Sequence, residues 1–183
     1  KINIYVSPEK EITDKSINLA FNKKLADDRK EWLKQYDENN ILDYKIPQTK
    51  IEDFVNKELI HFSNADTCRS IGSCMDGLKT SQRKILYSCF KRKLYSEIRV
   101  AQLAGYVSEH AAYHHGEASL QGAIINMAQD FVGSNNINIL MPNGQFGTRI
   151  MGGSDSASPR YIHTELNPLV DIIYPKYISY NFL

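Results

Sequence analysis

Three segments between Thr80 and Phe131 carry apolar residues at helical spacing, and just after Gly133 the period drops from about 3.6 to about 2. In the first, Ile85, Leu86, Cys89 and Phe90 share one face of a helix running from Thr80 to about Lys93, and Lys84, Ser88 and Lys91 share another. The second runs roughly from Val100 to Ala111. In the third, Leu120, Ile124, Met127 and Phe131 keep one apolar face. Ile137, Ile139 and Met141 then alternate up to Asn143-Gly144, and Phe146, Thr148 and Ile150 alternate beyond it, which predicts a β-hairpin closed by an Asn-Gly turn. Three helices followed by a hairpin is the order of a winged helix-turn-helix, a fold that sets a helix N-terminus and a wing against a duplex. The expected class is mainly α with a small β wing, an α+β arrangement.

On either side the signals are simpler. Gly152-Gly153-Ser154-Asp155-Ser156-Ala157-Ser158 predicts a flexible loop that delivers Arg160-Tyr161 onto an extended segment from Tyr161 to Glu165. Upstream, Ile17, Phe21, Leu25, Trp32 and Leu33 predict one long amphipathic helix from Asp14 to about Tyr36. Asn39-Asn40 and Pro47 end it, and a short helix from Ile51 to about Phe62 is expected behind a Thr49-x-x-Glu52 capping box. The expected division is a helical linker over 1–62, the winged domain over 63–168 and a short continuation over 169–183. A length of 183 residues with 42% apolar content suits one ordinary domain plus a smaller segment. No apolar run approaches a membrane span and no signal peptide is recognisable, so a membrane partner is not expected. Cys68, Cys74 and Cys89 have no paired short spacing, which argues against a disulfide framework or a zinc site and for a reducing compartment.

Charge is unevenly distributed. The whole chain carries +1, but Arg69 to Arg99 holds eight basic residues against Asp76 and Glu97, a local net of +6. A basic helix stripe is often only a solvated face. Beside a helix-turn-helix with a wing, contact with phosphates becomes the better reading. His114-His115-Gly116-Glu117 admits a metal site, a deaminase-like His-x-Glu, a phosphate-facing pair at a helix start, or a histidine capping its own helix. Adjacent histidines alone rarely make a zinc site, and no Pro-Cys-x-x-Cys follows to complete a deaminase pattern. A helix start favours anions, so the last two readings stay open. Tyr161 is one of eleven tyrosines, and most tyrosines pack. Arg160 beside it and the small-residue loop before it mark it as a candidate nucleophile.

A group of motifs is more specific than any of these alone. Leu25-Ala-Asp-Asp-Arg-Lys-Glu-Trp-Leu33, Phe54-Val-Asn-Lys-Glu-Leu59, Arg69-Ser-Ile71, Asp76-Gly-Leu-Lys79, Gln82-Arg-Lys84, Tyr113-His-His-Gly-Glu117, Phe131-Val-Gly-Ser-Asn-Asn136, Pro142-Asn-Gly-x-Phe-Gly-Thr-Arg149 and Arg160-Tyr161 span about residues 16 to 168. In order and spacing this set resembles the type IIA DNA topoisomerases, the eukaryotic enzymes most closely. The resemblance implies a winged helix-turn-helix of the CAP-like kind, preceded by the tail of a Toprim region and its linker. It implies that Tyr161 forms a transient 5'-phosphotyrosyl link, with Arg160, His115, Lys79 and Arg69 around the scissile phosphate. Arg83, Lys84, Lys91, His114 and Arg149 would contact DNA, and Ala118 would line the pocket for intercalating poisons. It further implies Mg2+ held by Toprim residues outside this chain, ATP used by the full-length enzyme, double-stranded DNA as partner and a homodimer. A nuclear location follows for a cellular protein, and a host-cell compartment for a viral one. The competing reading is a winged-helix DNA-binding module without chemistry.

Overall fold

The structure, a computed structural model, describes residues 2–113 and 116–174. His114 and His115, singled out above, lie outside the described residues. The chain divides into two compact units, Lys1–Ile71 and Gly72–Leu183.

In the first unit, strand β1 (Asn3–Tyr5) pairs in parallel with β2 (Gln48–Lys50). Between them the single long helix expected from Asp14 to Tyr36 is two helices, α1 (Lys10–Phe21) and α2 (Ala26–Leu33). The break sits at Asn22, whose backbone is extended and whose side-chain oxygen accepts from the Lys24 N–H. Arg29 takes up carbonyls freed at the end of α1, donating to Leu19 at 3.1 Å and to Asn22 at 2.6 Å. A capping asparagine and a chelating arginine therefore override a continuous apolar stripe.

The helix expected over Ile51 to Phe62 runs further. It comprises α3 (Ile51–Phe54), a π-helical turn at Val55–Leu59 and α4 (Ile60–Ser70). The capping box does not form, because the Thr49 hydroxyl is buried without a hydrogen-bond partner and Glu52 accepts from Thr13 of α1 instead. Trp32, Val55 and Ile60 make the small core here, and the Trp32 indole N–H donates to Asn56 at 2.9 Å.

The second unit holds α5 (Thr80–Arg92), α6 (Val100–His110) and α7 (Glu117–Ala128), packed on one another around Ile85, Leu86, Leu103, Val107, Leu120 and Ile124. The three-helix expectation holds, with two amendments. Ser88 faces the core and satisfies its hydroxyl on the Lys84 carbonyl, and Phe131 lies beyond the end of α7. Lys93 ends α5 in the left-handed conformation, with Leu94 and Lys93 N–H groups closing back on Cys89 and Phe90 carbonyls at 3.0 Å each.

The β part differs from the sequence expectation. Among the described residues no hairpin joins 137–141 to 146–150. Strand β3 (Ile98–Arg99) pairs antiparallel with β4 (His163–Thr164), and Leu140 and Asn143 bridge to Leu166 and His163. A tight Asn-Gly turn of the favoured kind needs positive φ at both central residues. Only Gly144 has it, at +125°, while Asn143 spends its N–H and carbonyl on His163 and its side chain on Glu97. The wing is therefore a three-stranded patch in which the Leu140–Asn143 segment and the return at His163–Leu166 are joined by a long loop. A short helix, α8 (Val170–Ile173), follows, and Val170 and Tyr174 are buried in the same core.

Candidate nucleic-acid interface

Period-two alternation decides where Tyr161 points. Ile162, Thr164 and Leu166 are buried, so Tyr161, His163 and Glu165 face away from the core, and Tyr161 is 73% exposed. Its backbone is nonetheless fixed. The first N–H groups of α6, which no helical carbonyl can satisfy, donate across the pair: Val100 to the Ile162 carbonyl and Ala101 to the Pro159 carbonyl, each at 3.1 Å. The Arg160 guanidinium lies 5.8 Å from the centre of the Tyr161 ring, within cation–π range.

Lys79, exposed, is the residue before α5, at the end of a tight loop from Gly72. That loop is braced by Asp76, which accepts from the Leu78 N–H at 2.9 Å and from Arg83 at 2.8 and 2.9 Å. The hydroxyl of Tyr174 closes the other side by donating to the Asp76 carbonyl at 3.2 Å. The Arg83 guanidinium holds the Asp76 carboxyl below the usual carboxylate range, burial opposing it. A lowered folded-state pKa means stability that is present above the ordinary value of about 4 and is lost as pH falls through the folded one. Asp76→Asn is therefore expected to cost about 1–3 kcal/mol at neutral pH and to flatten the acid loss of stability below about pH 4. Urea unfolding at pH 7 and pH 3 checks both. An unchanged acid limb counts against the pair.

The other described sequence candidates differ in their surroundings. Lys84 donates to the Ala112 carbonyl at 2.9 Å, at the end of α6, where Ala112 itself has a positive φ of 46°. Lys91 is exposed, 5.8 Å above the Tyr87 ring, and Arg149 is exposed on the loop after the wing. Ala118 is exposed in the first turn of α7. Arg83 differs from its reading as a DNA contact, because its guanidinium is committed to Asp76 and mostly covered. In the first unit, Arg69 lies in the last turn of α4 and pairs with Asp66 one turn earlier, both half-exposed, a contact that contributes little by itself.

The loop that carries Arg160-Tyr161 was expected to be a flexible tether, and the structure corrects this. Asp155 accepts from the Thr148 N–H at 2.8 Å and its hydroxyl at 2.9 Å, and the buried Gln129 amide donates to the Phe146 carbonyl at 2.8 Å. Ala157 N–H donates to Gln145 and Gly153 N–H to Thr148. Gln129 carried no sequence signal, Asp155 only that of a lone acid in a small-residue stretch, and Thr148 was read for its alternation and its motif but not as a partner of Asp155.

Residues 69–180 match the family model of DNA gyrase/topoisomerase IV, and residues 2–67 that of the C-terminal associated domain of TOPRIM. The chain is 61% identical to DNA topoisomerase 2 of Saccharomyces cerevisiae, over 86% of this chain and 11% of that protein. It is 55% identical to DNA topoisomerase 2-alpha of Rattus norvegicus, over 93% of this chain and 12% of that one. The chain thus spans about a tenth of these relatives. Among solved structures it resembles the Plasmodium falciparum topoisomerase II DNA-binding, cleavage and re-ligation domain, with a TM-score of 0.76 and 52% identity over 95% of this chain and 24% of that one.

Proposed function

Because the chain belongs to the type IIA DNA topoisomerases, we propose that it is the DNA-binding and cleavage/religation core of an ATP-dependent enzyme that relaxes and decatenates DNA by double-strand passage, with Tyr161 as nucleophile. The observation that carries this reading is the outward, exposed Tyr161 beside Arg160, on backbone gripped by the start of α6. The Tyr161 phenol oxygen attacks a backbone phosphorus and the bond to the 3'-oxygen breaks. The phenol proton is lost, the 3'-oxygen becomes a hydroxyl, and a 5'-phosphotyrosyl link holds the broken end. One phosphodiester replaces another, so the reverse step reseals the strand without an external energy source.

Arg160, Lys79, His115 and Arg69 supply positive and hydrogen-donating groups for charge developing on the phosphate. Lys84, Lys91, Arg149 and His114 hold the duplex, Ala118 lines the poison pocket, and Arg83 acts through Asp76 on the turn that ends at Lys79. Among the described residues no group of three or more His, Cys, Asp or Glu side chains is placed to hold a metal ion. On this reading, which rests on the family resemblance, Mg2+ and ATP belong to parts of the full-length protein outside this chain. Two strands need two tyrosines, so the working enzyme is a homodimer with one Tyr161 for each strand, acting in the nucleus of a eukaryotic cell. No described helix is long and apolar enough to cross a membrane.

The test is to react the full-length protein with supercoiled DNA, trap with denaturant, digest, and map the peptide that retains a nucleotide. Recovery on Tyr161 supports the assignment. An adduct on Tyr174, or no adduct in a protein that binds DNA tightly, overturns it, the latter in favour of a non-catalytic winged-helix module. Binding itself should depend on salt. Lys79, Lys84, Lys91, Arg149 and Arg160 neutralise about five phosphates, so log K against log salt should fall with a slope of roughly −4 to −5. A binding constant that does not change between low and moderate salt rules out phosphate contact as the main term.

A further inference from the structure

Seventeen residues, Gly144 to Arg160, separate the outgoing strand of the wing from Tyr161. A loop of that length without regular structure is uncommon inside a compact domain and would leave a reactive side chain poorly aimed. Here it is closed on itself in layers. The Asp155 carboxylate takes both the N–H and the hydroxyl of Thr148. Next to Thr148, Gly147 packs against Gly153, so close that a β-carbon on Gly147 would sit 2.5 Å from the Gly153 α-carbon. Gly153 in turn lies on the Gln129 amide, and a β-carbon there would sit 2.3 Å from the amide nitrogen. Both glycines have positive φ, +101° and +85°, which suits glycine and no bulkier residue. Gln129, 7% exposed at the end of α7, donates to the Phe146 carbonyl, so the stack is tied to the helical core. From Asp155 the chain runs through Ala157, bonded back to Gln145, and Pro159, held by Ala101, to Tyr161.

We propose that Asp155, clamped to Thr148 and supported by Gln129, is a positioning residue that sets the aim of Tyr161. This rests on Tyr161 being the nucleophile. Asp155 itself touches no reacting atom on this account; it keeps the loop short and rigid, so that the tyrosine starts close to the in-line attack geometry. The Thr148 N–H, with the Thr148 hydroxyl and against the opposing effect of desolvation, holds the Asp155 carboxyl below the usual carboxylate range, consistent with a carboxylate that is an acceptor in the folded loop.

The test uses the full-length protein and its Asp155→Ala and Asp155→Asn variants, with two readouts. The first is amide hydrogen exchange at Thr148 and Gly153, which reports the clamp without any cleavage. The second is single-turnover formation of the denaturant-trapped adduct at saturating DNA, beside the DNA dissociation constant. For Asp155→Ala, faster exchange at both amides is expected, with adduct formation slowed about 10- to 100-fold and DNA affinity changed less than about twofold. Asparagine keeps an acceptor for the Thr148 N–H and loses the charge, so Asp155→Asn should recover most of the rate. Unchanged exchange in Asp155→Ala overturns the clamp whatever the cleavage data show. Faster exchange with an unchanged rate shows that the clamp forms but does not aim Tyr161, which overturns the positioning role. A rate in Asp155→Asn as low as in Asp155→Ala shows that the charge, not the positioning, matters, and overturns the proposal too. A parent protein that forms its adduct elsewhere than on Tyr161 overturns the functional reading and this proposal with it.

Discussion

Tyr161→Phe in the full-length protein is expected to lower covalent adduct formation by at least about three orders of magnitude, the scale on which removal of a nucleophile acts. DNA affinity and ATP hydrolysis should remain near those of the parent. The substitution deletes one oxygen from a side chain that is 73% exposed and whose neighbours Ile162 and Thr164 carry the packing, so no buried contact changes. The proposed homodimer offers a sharper test. A heterodimer of parent and Tyr161→Phe chains should nick one strand and make few double-strand breaks. Normal relaxation of supercoiled plasmid by the homodimeric Phe variant would refute the assignment.

Arg160→Ala is expected to slow adduct formation by about 10²- to 10³-fold, the range seen when one preorganised donor is removed from a charge-stabilising site. A free phenol ionises only near pH 10, so attack at neutral pH needs a cation close to the oxygen or to the phosphate it approaches. The Arg160 guanidinium, 5.8 Å from the centre of the Tyr161 ring, is the neighbouring cation on which this expectation rests. Some adduct should remain, because the nucleophile is intact, and Arg160→Lys should recover part of the rate while losing the two-pronged geometry of the guanidinium. Single-turnover cleavage of a duplex at saturating enzyme measures this. A rate for Arg160→Ala within about threefold of the parent would remove Arg160 from the chemistry.

Much of the winged unit was legible because its signals are local. The apolar faces of Thr80–Arg92, Val100–His110 and Glu117–Ala128 repeat at the period of a helix, and each face became a side of the core. The segment from Tyr161 to Glu165 was legible as extended, whereas the fold decided that Ile162, Thr164 and Leu166 take its buried side. The motifs around Lys79, His115, Arg149 and Arg160-Tyr161 name the family because their order and spacing are improbable together.

Where local and distant partners competed, sequence reasoning failed. Asn143-Gly144 reads as a hairpin turn, but Asn143 is paired to His163 and Glu97, and those bonds outweigh the turn preference. Thr49 and Glu52 have the spacing of a capping box, yet Glu52 reaches Thr13, thirty-nine residues away along the chain. Arg83 sits on a basic helical stripe, and only the folded loop shows that Asp76 has taken it. The Gly152–Ser158 stretch has the composition of a tether. Gln129, twenty-four residues from Gly153, donates to the carbonyl of Gly153, and Thr148 donates to Asp155, which closes the loop.

Sequence by itself determined the three helices of the second unit and the family, because periodicity and motif spacing are properties of neighbouring residues. Tertiary structure alone decided which strands pair, which cation is already spent and what holds the tyrosine's loop. Each of these depends on a polar group finding a partner outside its own local pattern, and no periodicity or motif records that partner.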